Sequence, residues 1–221
     1  VAARLLRERG YRVRLPSRPE QLQSWHGWSK ESVWSRDDGI HVELHTALAD
    51  NRRLIPGIDV HSPSQLVEVA PGVVLPTLAQ DELFAYLAVH GASSAWFRLK
   101  WISDFVGLLH AKCAEEIEQL YQRSQELGSA RAGGQALLLA DRLFGVLGLT
   151  PRLRDQLAAN QSTRRLAAAA LRLMADGVEE PTERPFGTLP IHWTQFLLKP
   201  GLAYKASELR RQATALLAGS G

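Results

Sequence analysis

"SVWSRDDGIHVELHTAL", residues 32–48, reads as two strands folded about a turn. Polar and apolar residues alternate from Ile40 to His45, and Asp38-Gly39 supplies the positive φ that a tight hairpin turn needs. A period of two sends His41, Glu43 and His45 to one face of the second strand, and Ile40, Val42 and Leu44 to the other. That polar face suits three descriptions: a metal site, a catalytic carboxylate flanked by imidazoles, or the wet side of a half-buried strand. The stretch alone leaves all three open.

On the N-terminal side, "VAARLLRERG" predicts a helix capped by Gly10, and "YRVRL" a short strand stopped by Pro16. On the C-terminal side, "QLVEVA", "PG" and "VVLPTL" predict a second hairpin. Beyond residue 76 the period changes from two to three or four. Thr77 with Gln80 forms a capping-box pattern for a helix running to His90 and closed by Gly91. Further helices are expected over 95–111, 114–127 and 131–147, one opened by Thr150-Pro151, one capped by Ser162 and running to Asp176 before Gly177, and one over 205–218. "EEPTERPFGTLP", residues 179–190, reads as a proline-rich loop. The fold class is therefore α+β: a small α/β part over residues 1–75, then a helical domain over 76–221.

Composition narrows the function. The 221 residues are 45% hydrophobic and 22% charged, ordinary globular values. No apolar run is long enough to span a membrane. Cys113 is the single cysteine, which rules out an intramolecular disulfide framework and a cysteine-based zinc site. A reducing, cytoplasmic home is the expectation. The net charge of +3 does not demand a nucleic-acid partner, although Arg4, Arg7, Arg9, Arg12 and Arg14 crowd one short segment against Glu8. A nucleotide-binding GxGxxG, a Walker phosphate loop, a GxSxG elbow and an HExxH zinc motif are all absent.

The richest remaining stretch is "LAVHGASSAWFRLKWISDFVGLL", residues 87–109. Trp96, Leu99, Ile102, Val106 and Leu109 recur at helical spacing as a core face. Phe97, Trp101, Asp104 and Leu108 form a neighbouring stripe. The plain reading is helix packing, with Lys100 and Asp104 as a surface i,i+4 pair. Crowding of His90, Arg98, Lys100, Trp101 and Asp104 around one helix corner also suits a clamp for a flat anionic ligand, by stacking and phosphate contact.

His90-Gly91, Trp96, Leu99, Lys100-Trp101 and Asp104 together resemble the "HG…W..L.W..D" signature of a bacterial family of uncharacterised nucleotidyltransferases in the polymerase-β-like superfamily. Leu5-Leu6 with Gly10-Tyr11, and Val42-Glu43-Leu44-His45, match that family's earlier motifs in order and approximate spacing. The resemblance covers about residues 3–110. It implies a nucleotidyltransferase-like α/β domain with a small mixed or antiparallel sheet, followed by a helical bundle. It further implies Mg²⁺, an NTP and an acceptor of unspecified class, with nucleic acid possible but not indicated and no membrane involved. Three strand carboxylates would hold two ions. Glu43 matches the third of them and is the implied catalytic and metal-binding residue, with His41 and His45 as auxiliaries. His90, Arg98, Lys100, Trp101 and Asp104 are the implied nucleotide-binding residues. The family's Gly-Ser turn and Asp-x-Asp pair precede the first matched helix, and Asp37-Asp38, adjacent and in a turn, cannot replace the pair. The expectation is a chain truncated at its N-terminus or an inactive relative, without transfer activity in its 221-residue form. The alternatives are a non-catalytic nucleotide- or protein-binding module and a helical interaction protein.

Overall fold

The computed structural model describes residues 1–176 and 186–219. Among these, strands occur only between residues 12 and 78, as two antiparallel sheets, and the remainder of the regular structure is helical. The α+β expectation holds. The chain divides into two compact units, Val1–Arg52 with the residues from Leu209 onward, and Arg53–Glu208.

In the first unit, α1 (Ala2–Glu8) leads through Gly10, at φ 82°, into β1 (Arg12–Leu15). A 3₁₀ turn at Pro19–Gln21 and α2 (Leu22–Trp25), neither expected from the pattern, precede β2 (Glu31–Ser35) and β3 (His41–His45). The sheet order is β1-β2-β3, so β3 is an edge strand. One face is apolar: Trp34 is fully buried, its indole N–H donating to the Ser32 hydroxyl at 2.9 Å, with Val42 opposite it across the ladder. The turn falls on Asp37-Asp38-Gly39, between the two strands as expected, but of Asp38 and Gly39 only the glycine takes the positive φ. Arg36 N–H donates to Ile40 O at 3.0 Å and Gly39 N–H to Arg36 O at 3.1 Å, enclosing three residues, and Gly39 alone has positive φ, 84°. A three-residue loop ending in a left-handed glycine is the next commonest hairpin after the two-residue turn. Its extra residue shifts the register by one.

In the second unit, β4 (Ser64–Ala70) and β5 (Val73–Leu78) form the expected second hairpin, most of whose side chains are exposed. Next come α3 (Gln80–Ser93), α4 (Leu99–Leu109), α5 (Ala114–Glu126), α6 (Ala130–Phe144), α7 (Pro151–Ala159), α8 (Gln161–Ala175), α9 (Leu189–Gln195) and α10 (Leu202–Gly219). The core sits where α3 and α6 meet, with Phe84, Ala88, Phe105, Ala136, Leu137 and Leu166 all fully buried.

Several boundaries need correcting. Thr77 lies in β5 and makes no capping box; α3 begins after Ala79, whose side chain cannot cap. The helix does not stop at Gly91. It runs on to Ser93 and ends as Trp96 N–H donates to Gly91 O at 2.8 Å and Ala95 N–H to Ala92 O at 3.0 Å. This is the bonding of a Schellman motif, with Ala95 at φ 48° in the left-handed position where glycine is usual. Trp96 follows at φ 57°, so the next helix cannot start at residue 95 and begins at Leu99. Leu99 is exposed, and the buried α4 face is Ile102, Phe105 and Leu109. α6 ends at Gly145, φ 71°, three residues before the expected Gly148. Asn160, rather than Ser162, caps α8 by accepting from Thr163 N–H at 3.1 Å. Part of the expected proline-rich loop, and Gly177, lie outside the described residues, while Leu189 and Pro190 open α9. The terminal helix starts a turn earlier than expected.

Candidate functional site

The polar face of the first sheet is built by the β2–β3 ladder. Glu31 lies opposite His45, Val33 opposite Glu43, and Ser35 opposite His41. Period two therefore puts Glu31, His41, Glu43 and His45 on one face, as the sequence predicts for the last three. The His45 imidazole Nε2 stands 3.3 Å from Glu31 Oε2 and 3.5 Å from Glu43 Oε2. The donor atoms of Glu31, Glu43 and His45 all lie within 4.8 Å of one another. Glu43 is the outermost, its side chain 62% exposed against 26% for Glu31 and 27% for His45. His41 is exposed at the turn end of the strand.

Glu31 is held firmly. Its carbonyl accepts from Trp25 Nε1 at 2.7 Å and from the Ser29 hydroxyl at 3.2 Å, while its carboxylate pairs with Lys30 Nζ at 2.8 Å. The preceding loop is tied to β3 as well. The Thr46 hydroxyl donates to Lys30 O at 3.2 Å and lies 3.2 Å from His26 Nδ1. Partial burial holds the His26 imidazole below its ordinary pKa; a hydrogen bond to the Ser29 backbone opposes this and the Arg52 charge reinforces it. The aspartates of the turn are engaged elsewhere, Asp37 with Arg12 at 3.4 Å and Asp38 with Arg36 at 2.5 Å. They take no part in the polar face.

The second group of expected residues forms a corner between α3 and α4. His90 meets Trp101 edge-on at 5.4 Å, and Tyr86 lies 5.7 Å from His90. Phe97 meets Trp101 at 5.0 Å, and the Arg98 guanidinium lies over both rings, at 5.4 Å from Phe97 and 5.7 Å from Trp101. His90, Arg98 and Trp101 are thus brought together, as expected. Lys100 and Asp104 are exposed on the same helix, but no ion pair joins them among the described residues. The expected surface pair is not made. Both side chains are free to face solvent or ligand. Behind the corner, Trp96 is fully buried, and a Cβ at Gly91 would fall 2.5 Å from three of its ring atoms. His90-Gly91 therefore serves two ends: the histidine presents a ring to Trp101, and the glycine leaves room for Trp96.

Glu31 is the residue that sequence reasoning missed. With a two-residue turn at Asp38-Gly39, Thr46 rather than His45 would stand opposite Glu31. The three-residue loop Asp37-Asp38-Gly39, the stretch expected to connect the strands, gives the observed pairing, and counting back across it from His45 reaches Glu31.

A strand face bearing an exposed carboxylate, and a cationic aromatic helix corner, both fall within residues 1–145, which the family model for uncharacterised nucleotidyltransferases matches. The chain belongs to this family. No curated protein and no solved structure matches it. Membership implies an NTP substrate, and nucleotidyltransferases generally use divalent metal ions. No helix among the described residues is long and apolar enough to cross a membrane.

Proposed function

We propose that this nucleotidyltransferase-family protein transfers a nucleoside monophosphate from an NTP to an acceptor hydroxyl, with Glu43 as a metal-binding carboxylate. The observation that supports the reading is that Glu43 stands exposed on the polar face of a paired strand, and the motif resemblance implies it as the third carboxylate. The donor chemistry fits Mg²⁺ in part. Glu43 and Glu31 offer hard oxygen ligands on one face, and the exposure of Glu43 leaves room for the waters that magnesium retains. When bound, the metal neutralises phosphate charge and lowers the pKa of an attacking hydroxyl.

The chain's own residues supply the rest. Glu43 contributes fixed negative charge from a rigid strand, and His41 and His45 flank it. At the α3–α4 corner, Trp101 and His90 offer ring faces and edges to a base, and the Arg98 guanidinium adds a cation beside them. Lys100 is a mobile charge for a phosphate, and Asp104 an acceptor for a sugar hydroxyl or base amine. The acceptor substrate is of unassigned class. We place the protein in the cytoplasm, in keeping with its single, free Cys113. A second reading, a nucleotide-binding module without catalysis, is favoured by the corner alone, because its aromatic–cation cluster is complete without any carboxylate pair.

The corner can be tested by titrating the protein with each Mg²⁺–NTP and following binding calorimetrically. A stacked or cation–π contact contributes about 0.5–2 kcal/mol. Trp101→Leu and Arg98→Ala are therefore each expected to raise Kd by about 2- to 30-fold. Unchanged Kd in both variants would remove the corner from the nucleotide site.

A further inference from the structure

We infer that the polar face carrying Glu43 also binds a single-stranded nucleic acid, gripped through its phosphates by Arg12 and Arg14, and that this strand brings the acceptor hydroxyl. The inference rests on the proposed transfer at Glu43 and names the class of acceptor. In that transfer the strand's terminal hydroxyl oxygen bonds to the α-phosphorus of the NTP, pyrophosphate leaves, and the hydroxyl proton passes to water.

The strand register carries it. Arg12 stands opposite Ser35, and Ser35 opposite His41. Partners across a ladder point to the same side, so Arg12 shares the face of His41 and Glu43. Pairing slips between Val13 and Leu15, which leaves Arg14 as the extra residue of a bulge. Bulges re-aim side chains. Here Arg14 Nε donates to the Ser35 hydroxyl at 2.6 Å, and Ser35, only 4% exposed, projects from that same face. A nearly buried hydroxyl thus fixes the Arg14 guanidinium beside the face. That group has five N–H donors and this bond uses one. Among the described residues no carboxylate pairs with Arg14, and the ion pair of Arg12 is the exposed contact with Asp37, at 3.4 Å. An exposed pair of this kind contributes little and yields to a phosphate.

The surrounding charge fits a chain of phosphates better than one compact phosphate cluster. Arg4 and Arg7 in α1, and Arg9 just after it, are exposed as well. The Arg7 guanidinium lies 5.5 Å from the centre of the Trp34 ring, on the apolar side of the sheet, and β1 is an edge strand. The arginines therefore flank the β1 edge from both sides. Glu8 is the one acid among the first nineteen residues, and no lysine precedes Lys30. Guanidinium forks take phosphate oxygens in pairs, which a lysine does not. α1 is about 10 Å long and β1 about 13 Å, so the cations are strung along a path that successive phosphates can follow. A duplex is too stiff to turn round a sheet edge, whereas a single strand can do so.

The test uses the whole chain, without NTP or metal, and a fluorescein-labelled RNA of about 12 nucleotides, followed by anisotropy over about 50–200 mM KCl. Affinity should fall as salt rises, a readout on the unmutated protein that is independent of how variants fold. Replacing both Arg12 and Arg14 by Gln should raise Kd about tenfold or more. It should also lower the slope of log Kd against log salt by about 1.4, at about 0.7 per phosphate contact on a single strand. Arg152→Gln with Arg154→Gln removes the same charge from exposed positions of α7 and should leave Kd and slope unchanged. An affinity indifferent to salt, or equal losses in the two double variants, would overturn the surface. So would equal affinity for a polyglutamate peptide of matching charge. Displacement of the RNA by an equal concentration of ATP would assign the arginines to the NTP's own phosphates and overturn the acceptor. Absence of RNA binding leaves transfer from an NTP to another kind of acceptor intact. RNA binding as described, by a protein that transfers nothing, refutes the transfer reading and leaves the RNA-binding surface intact.

Discussion

Replacing Trp96 by Ala is expected to lower the stability of the helical unit by about 3–5 kcal/mol. The ring is fully buried, with Phe105 edge-on at 6.0 Å and the bare Gly91 backbone beneath it. It is also the residue whose N–H closes the end of α3. Its indole Nε1 is buried without a hydrogen-bond partner, so the loss comes from packing, and Trp96→Phe should keep most of the stability. Gly91→Ala drives a methyl group into the same ring, 2.5 Å from its atoms, at an expected cost of about 1–3 kcal/mol. The two residues are coupled. Once the ring is gone the methyl group has space, so the double variant should be more stable than the sum of the single losses predicts. Urea unfolding of the three variants checks this. Strictly additive losses would mean that Gly91 and Trp96 do not share one packing site.

The same corner explains why part of the fold was legible in the sequence and part was not. Period-two and period-three-to-four patterns located both hairpins and most of the helices, because they record which side of an element is buried. Helix ends were less legible. Gly91 has the look of a cap, yet its missing side chain serves Trp96, five residues on. The left-handed turn is taken instead by Ala95, for which no local propensity speaks. Ser162 and Asn160 are both good caps by type, and only the observed bond to Thr163 N–H separates them. α9 went unread because it is short and follows a run of prolines.

The site divides in the same way. His41, Glu43 and His45 share a face because of strand geometry alone, which a single segment reveals. Glu31 joins them through pairing between strands, and pairing depends on the length of the turn. One residue more or fewer in the turn exchanges Thr46 for His45. At the helix corner, the spacing of Trp101 from Phe97 and Arg98 made their meeting foreseeable. That Lys100 and Asp104 stay apart, despite an i,i+4 spacing, reflects the small gain of an exposed pair against the entropy of two long side chains.

Glu43→Gln is expected to reduce nucleotide transfer by on the order of 10²–10³-fold, the scale of losing one fixed group that stabilises transition-state charge. The substitution keeps the size of the side chain and removes its charge. Because the side chain is 62% exposed and pairs only with His45 among the described residues, the fold should lose little. A surface position of this kind normally changes stability by within about 0.5 kcal/mol. The contrast between a large loss of activity and a small loss of stability distinguishes a ligand from a structural carboxylate. The most direct measurement is the transfer of label from an NTP, with Mg²⁺ present, by the protein and its Glu43→Gln variant, each also melted thermally. The account predicts transfer by the first, near-complete loss in the second, and matching melting temperatures. Equal transfer by the two proteins would contradict it.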